Sequence, residues 1–335
     1  GPSGCGKTTT LRMVAGFEQP TGGTIRFGDQ NVTNLAPEQR NVGMVFQNYA
    51  LFPHMTVAQN IAYGLQMRRV ERAEVTKRVE AMLSKVQLQG LGDRYTRQIS
   101  GGQQQRTALA RALVTNPSVL LLDEPLANLD AKLREEMRFY IRELQREFGI
   151  TTIYVTHDQS EALVLADRIA VMMDGELHQL DVPKAIYERP TSARVADFIG
   201  LANLLPGKVT ANHDGAVTVI TKWGEIASLG VPEWSSGDDV LVCVRPEVFT
   251  VTEGSGTPAL RRDGEATLLT GHVRELAYLG SMVDYQVEGP EGLSLRVQSV
   301  AGQEFRPGSL VELHFTAGKT WVVGVKRDDS PALAA

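Results

Sequence analysis

The run Gly1-Pro2-Ser3-Gly4-Cys5-Gly6-Lys7-Thr8 restricts what this chain can become more than any other stretch. It meets every fixed position of the pattern G-x-x-x-x-G-K-[ST]. Its glycines permit a tight backbone turn that aims successive N–H groups at one point. Residues 8–15 then read as the first turns of a helix, whose positive end adds to an anion site. In such a loop Lys7 reaches the β- and γ-phosphates and the Thr8 hydroxyl holds Mg²⁺. A chance glycine-rich turn would rarely meet all the fixed positions at once, so we read a nucleotide site. A loop of this kind is expected to follow a buried strand, yet nothing precedes Gly1 and there is no initiator Met. The chain is therefore read as a fragment lacking its native N-terminus. The anchoring strand, and any aromatic residue that stacks on the base, are expected to lie outside it.

Other function classes are narrowed by composition. With 335 residues, two domains are the default expectation. Hydrophobic residues at 42% and charged residues at 22% describe an ordinary soluble globular protein with ample core. A formal net charge of −5 gives no support for a nucleic-acid surface. The two cysteines, Cys5 and Cys243, lie far apart and suggest a reducing compartment rather than a disulfide framework. No apolar run approaches the ~18 residues of a membrane span, so any membrane role needs partner subunits.

Later strand ends are expected to bring polar groups to one sheet edge. Residues 41–46 form an apolar run of strand length ending at Gln47, an amide where ligands bind in open α/β sheets. Residues 119–122 are continuously apolar, as in a central parallel strand, and deliver Asp123 and Glu124 before Pro125. Two carboxylates there are costly without a cation. Beside a phosphate loop, Asp123 is the natural Mg²⁺ partner through water and Glu124 the natural base for an attacking water. Residues 151–156 read as the next strand and place His157 at the same edge, where we favour contact with the γ-phosphate. Between these strands, Ser100 is a good N-cap for a helix from Gln104, and Gly101 and Gly102 leave its end open to an anion. That makes a second candidate phosphate site, although a capped helix after a loop would alone explain it.

The rest is read more coarsely. Residues 56–97 are helical and charged, most simply a solvated face. Residues 49–55 carry many large apolar and aromatic side chains, and composition alone slightly favours their packing inside. A helix over 131–148 closes at Gly149, a strand over 168–173 ends in the turn Asp174-Gly175, and helical segments continue to about Gly200. Residues 203–325 hold many short Val/Leu-rich runs with frequent Gly and Pro, which imply a small β-barrel or sandwich. The tail over 326–335 is expected to be disordered.

Taken together, residues 1–8, Gln47, Ile99-Ser100-Gly101-Gly102-Gln103, Asp123-Glu124, Asn128-Leu129-Asp130 and His157 resemble the ATP-binding subunit of ABC transporters, over about residues 1–200. The resemblance implies an α/β P-loop ATPase core with a helical subdomain. Gly1, Pro2, Ser3, Gly4, Cys5, Gly6, Lys7, Thr8 and Thr9 would bind the ATP triphosphate. Thr8, Gln47 and Asp123 would serve Mg²⁺, Glu124 would be the general base and His157 would sense the γ-phosphate. Ser100, Gly101, Gly102 and Gln103 would close over ATP held by the opposite subunit of a head-to-tail homodimer. Residues 49–55 fall where the family docks a transmembrane permease subunit, which reverses the mild preference for packing. Ile99 replaces the usual Leu, and Ala127 replaces a common Ser that would supply a cross-dimer hydrogen bond.

The second domain, over 203–325, resembles the TOBE-like regulatory barrel of importer ATPases, with Asn203-Leu204-Leu205 and Val244-Arg245-Pro246-Glu247 as its landmarks. Such subunits sit on the cytoplasmic face of the membrane through their permeases and meet a solute-binding protein only indirectly. Their cargo is polyamine, ferric iron, sugar, sulfate or phosphonate, and polyamine is the first expectation here. A soluble ABC ATPase of DNA repair or translation is the rival, and a catalytically idle scaffold is a further one. Neither the long coiled-coil insertion nor the second cassette of the former is present, and intact Lys7, Asp123, Glu124 and His157 argue against the latter.

Overall fold

A computed structural model describes residues 1–257, 259–263, 266–302 and 304–325, and for residues 261–263 the backbone alone. The tail expected from Lys326 lies outside the described residues. The chain divides into two compact units, Gly1–Asp167 with Met172–Leu177, and Arg168–Val171 with the chain from His178 onward.

In the first unit α1 (Lys7–Ala15) is followed by a small antiparallel pair, β1 (Arg26–Phe27) and β2 (Gln30–Asn31). Then come β3 (Val42–Val45), α2 (Val57–Met67), α3 (Arg72–Lys85) and α4 (Gly101–Leu113). β4 (Val119–Asp123), α5 (Ala131–Phe148), β5 (Thr151–Val155) and α6 (Gln159–Leu165) complete it. Strands β3, β4 and β5 pair in parallel, with Val42 opposite Val119 and Val119 opposite Thr151.

β4 is apolar from Val119 to Leu122 because both its faces are covered there. Leu120 and Leu122 belong to the core built by α2–α5, whereas Val119 and Leu121 pack with Leu11 and Ala15 of α1. The same burial leaves Asp123 as the first polar side chain at the strand's carboxyl end. Buried Arg40 ties α1 down from behind, donating to the carbonyls of Met13 at 2.6 Å and Val14 at 3.0 Å. It thereby satisfies acceptors that every helix C-terminus leaves open. The charged stretch 56–97 holds the two helices α2 and α3, separated where Arg69 takes a positive φ of 56°.

β6 (Ile169–Met173) and β7 (Glu176–Asp181) pair as a hairpin. The second of these corrects the expectation of helix after Gly175. Asp174 and Gly175 take successive positive φ of 52° and 82°, the two-residue hairpin geometry that returns the following residues as a strand paired to β6. Helices α7 (Pro183–Glu188) and α8 (Ala193–Phe198) follow as expected.

The second unit continues with β8 (Asn203–His213), β9 (Ala216–Thr221), β10 (Gly224–Leu229) and β11 (Asp239–Val244). β12 (Thr250–Glu253), β13 (Leu260–Asp263), β14 (Ala266–Tyr278), β15 (Met282–Glu288), β16 (Ser294–Val300) and β17 (Leu310–Thr316) form a separate sheet in the order β12–β17–β14–β15–β16, with β13 on β14. β18 (Thr320–Gly324) returns to close the barrel β10–β18–β11–β8–β9. The expected barrel is present, accompanied by this sheet.

The compact division falls earlier than the boundary expected at residues 200–203, because α7 and α8 belong with the second unit. Arg245, 5% exposed, explains why. It donates to the carbonyls of Ala196 at 2.8 Å, Leu201 at 3.0 Å and Tyr187 at 3.0 Å, and its guanidinium lies 4.3 Å from the Tyr187 ring centroid. Arg245→Met would leave those carbonyls without a donor. We expect it to destabilise the second unit by about 2–4 kcal/mol, read as an earlier urea transition in the full chain.

Candidate functional site

The glycine-rich loop bends as its composition requires. Gly4 and Gly6 have φ of 81° and 94°, a region that side chains rarely adopt. Gly6 is the N-cap of α1 without any side-chain cap, and no acidic residue sits in the first turn. The helix therefore presents its positive end and free N–H groups where an anion would approach. Cys5 is buried under the loop and Lys7 arches back over it. The Lys7 ammonium donates to the Gly1 carbonyl at 2.6 Å and to the Pro2 carbonyl at 2.8 Å. A triphosphate would take over hydrogen bonds that the loop makes with itself.

The sheet edge gathers the other residues expected there. Thr8 Oγ1 donates to Asp123 Oδ1 at 3.1 Å, joining the start of α1 to the end of β4. Glu124 Oε2 lies 3.1 Å from His157 Nδ1 and accepts from Gln47 Nε2 at 3.5 Å. Three separate strand ends thus meet at one carboxylate. Glu124 has a positive φ of 46°, unusual for a residue with a side chain, and its N–H donates to the Val155 carbonyl at 3.0 Å. Strained backbone held this way by its surroundings is found where a side chain must be aimed.

His157 is exposed over 57% of its side chain, so it is free to meet a ligand. Its neighbours are anchored. Thr156 Oγ1 donates at 2.7 Å and the Tyr154 hydroxyl at 2.9 Å to buried Glu161. Burial, with the Glu161 carboxylate beside it, pushes the Tyr154 phenol well above its usual range. On the other side Asp158 pairs with Arg138 at 2.9 Å. Burial opposes the Asp158 charge, but the Ser160 hydroxyl, the Glu161 N–H and Arg138 outweigh it and lower its pKa.

Ser100 caps α4 as expected, its Oγ accepting from Gln103 N–H at 3.3 Å while Gln103 Oε1 accepts from Ser100 N–H at 2.9 Å. Gly101 is exposed and Gly102 is buried, where a Cβ would press on Leu133 at 3.1 Å. Among the described residues no hydrogen bond or ion pair joins residues 100–103 to the cluster around Glu124. The stretch 49–55 divides: Tyr49 is buried, Leu51, Phe52 and Met55 are half-buried, and Pro53 and His54 are exposed.

Asn128, named in the sequence only as part of a motif, and Asn60, not singled out there, support the site. Asn128 Nδ2 donates to the Gln47 carbonyl at 2.8 Å. Asn60, fully buried on α2, accepts from Phe52 N–H at 2.9 Å and donates to the carbonyls of Phe52, Met55 and Thr56, shaping the loop. A polar amide on an otherwise apolar helix face was the available signal for Asn60.

The donors around Thr8 suit a hard cation. Among the described residues no three His, Cys, Asp or Glu side chains form an ion cage. Mg²⁺ does not need one, because it keeps waters and is bound through one or two protein oxygens plus substrate phosphates. The Thr8 hydroxyl and the Asp123 carboxylate, joined at 3.1 Å, fit that requirement.

A family model described as ABC transporter matches residues 1–127, and one described as TOBE domain matches residues 242–323. The chain is 49% identical over 287 residues to the spermidine/putrescine import ATP-binding protein PotA of Thermobifida fusca, covering 86% of this chain and 73% of that protein. The protein of the same description from Chromobacterium violaceum is 46% identical over 326 residues, with 95% and 89% covered. The Fe(3+) ions import ATP-binding protein FbpC of Agrobacterium fabrum is 46% identical over 319 residues, with 94% and 86% covered.

Proposed function

The chain belongs to the ATP-binding subunits of the ABC transporter family, and from that premise we propose that it hydrolyses ATP to energise solute import through membrane permease subunits. The observation that carries the proposal is the convergence of Gln47, Glu124 and His157 beside the Lys7–Thr8 loop. Residues 1–9 would bind the triphosphate with loop N–H groups and Lys7. Thr8, Gln47 and Asp123 would hold Mg²⁺, which when bound supplies positive charge to the β- and γ-phosphoryl oxygens. Glu124 would take a proton from the attacking water. Its contact with His157 would orient the carboxylate and leave the exposed imidazole to meet the γ-phosphate.

Residues 100–103 would serve a second subunit. One chain would carry two anion-binding helix ends, and no hydrogen bond among the described residues ties one to the other. A head-to-tail homodimer with ATP between the two kinds of end uses both. Binding would then favour the closed pair and hydrolysis release it, through the difference in nucleotide affinity between the two states. No helix among the described residues is long and apolar enough to cross a membrane. Attachment to the inner face would come through the permease subunits, docked at the exposed Pro53 and His54 end of the 49–55 loop. The second unit would be regulatory.

Polyamine is the cargo we favour, since relatives named for spermidine and putrescine import match most of the chain. The similarity to ferric-iron importers keeps iron as the second reading. Cells whose full-length copy carries Glu124→Gln are expected to lose accumulation of labelled spermidine while iron uptake continues. Loss of iron uptake alone would reassign the cargo. Unchanged uptake of both, with sugar, sulfate and phosphonate also unaffected, would move the soluble-ATPase reading ahead.

A further inference from the structure

The backbone just beyond Gln47 takes a conformation its own sequence does not favour. Tyr49 and Ala50 have φ of 61° and 46°, two successive left-handed residues that both carry a Cβ. Single residues visit this region, mostly Gly, Asn and Asp, and neither of these is one of them. No glycine occurs between Gln47 and Met55 to absorb the bend. Something outside the loop must therefore hold it.

Arg111 on α4 makes the contacts required. Its Nη1 donates to the Ala50 carbonyl at 2.7 Å and its Nη2 to the Tyr49 carbonyl at 2.8 Å. The two bonds use the planar fork of the guanidinium on consecutive peptide oxygens, a geometry Lys cannot reproduce. The same group lies 5.4 Å from the centroid of the Phe52 ring. Burial lowers the Arg111 pKa, so this cation has given up water for those carbonyls. From below, the Tyr49 ring is 5% exposed and anchors the bend in the core shared by α2, α4 and α5. The Gln47 carbonyl itself accepts from Asn128 Nδ2 at 2.8 Å.

We infer that Arg111 is a positioning residue for Gln47: its fork holds the Tyr49–Ala50 bend, and the bend sets where the Gln47 amide is presented to nucleotide. Because Arg111 rides on the helix that begins at residues 100–103, α4 ties that second anion-binding end to the Gln47 loop within one subunit. The inference rests on the ATPase reading above.

The test is a double-mutant cycle on the full chain, with steady-state phosphate release and fluorescent-ATP binding measured side by side. Arg111→Met keeps an apolar stem beneath Phe52 and removes the fork. It should lower kcat by ~10- to ~100-fold, the usual cost of misplacing a reacting group by a mutation remote from it, with ATP affinity unchanged. Combined with Gln47→Ala it should be no slower than Gln47→Ala alone, because both act through one group. Ala50→Gly in the Arg111→Met background should recover part of the rate, since glycine takes a positive φ without strain. Should Arg111→Met fail to fold, Arg111→Lys with Gln47→Ala completes the same cycle. Additive losses, or wild-type turnover in the Arg111 variant, overturn the inference while leaving the ATPase reading intact. Absence of hydrolysis by the unsubstituted protein, with nucleotide bound, would instead fail the ATPase reading.

Discussion

Glu124→Gln is expected to cut ATP turnover by ~10²–10⁴-fold, the usual worth of a general base, while ATP binding survives. The substitution keeps the shape of the side chain and removes its basicity. Its backbone has little reason to move, because the Glu124 N–H is already bonded to the Val155 carbonyl at 3.0 Å. The loss would therefore be chemical rather than conformational. Nucleotide affinity should hold because the triphosphate contacts proposed for residues 1–9 come from loop N–H groups and Lys7. Phosphate release under saturating ATP reads the first quantity and a fluorescent-ATP titration the second. Turnover at the wild-type rate would remove Glu124 from its role and leave His157, 3.1 Å away, as the next group to test. Weakened binding with unchanged turnover would mean that the carboxylate organises the loop instead.

What could be read in advance follows from how each residue is held. Asp123 and Glu124 stand out in the sequence because the strand that delivers them is apolar through Leu122, whereas His157 follows Thr156 and stands out as a third polar group at a third strand end. A polar residue directly after such a run has no place to go but the sheet edge. The caps at Ser100 and Gly149 were legible for a similar reason, since local hydrogen bonding and a left-handed turn select those residue types. Arg40, Asn60, Arg111, Asn128 and Arg245 were not assigned structural roles in that reading. Each donates to main-chain carbonyls, and a carbonyl is the same whatever residue carries it. No pattern of side chains therefore advertises the acceptor.

The barrel was legible as a class and not as a topology. Its closure depends on β18 returning to β11, with Cys243 opposite Trp321, a pairing that no local spacing encodes. Strand β7 was missed because it is mostly polar, with Gln179 its one buried residue, and shows no clear alternation.

Ser100→Arg is expected to abolish ATP-dependent dimerisation while leaving ATP binding to each subunit intact. Ser100 is exposed at the N-terminus of α4, and its hydroxyl caps the Gln103 N–H at 3.3 Å. Removing that cap costs about 1 kcal/mol, which a core of this size tolerates. The decisive change is volume: a long guanidinium stem would stand over the exposed end where Gly101 leaves the backbone open to a phosphate. Ser100→Ala separates the two effects, since it loses the cap without adding bulk, and it should still dimerise. Light scattering with ATP and Mg²⁺ reads the outcome, best in a Glu124→Gln background where slow hydrolysis preserves the closed pair. A dimer with Ser100→Ala and monomer with Ser100→Arg would tie the helix end to the partner's nucleotide. An unaltered dimer with Ser100→Arg would refute the sandwich, and α4 would then be a capped structural helix whose open end faces only water.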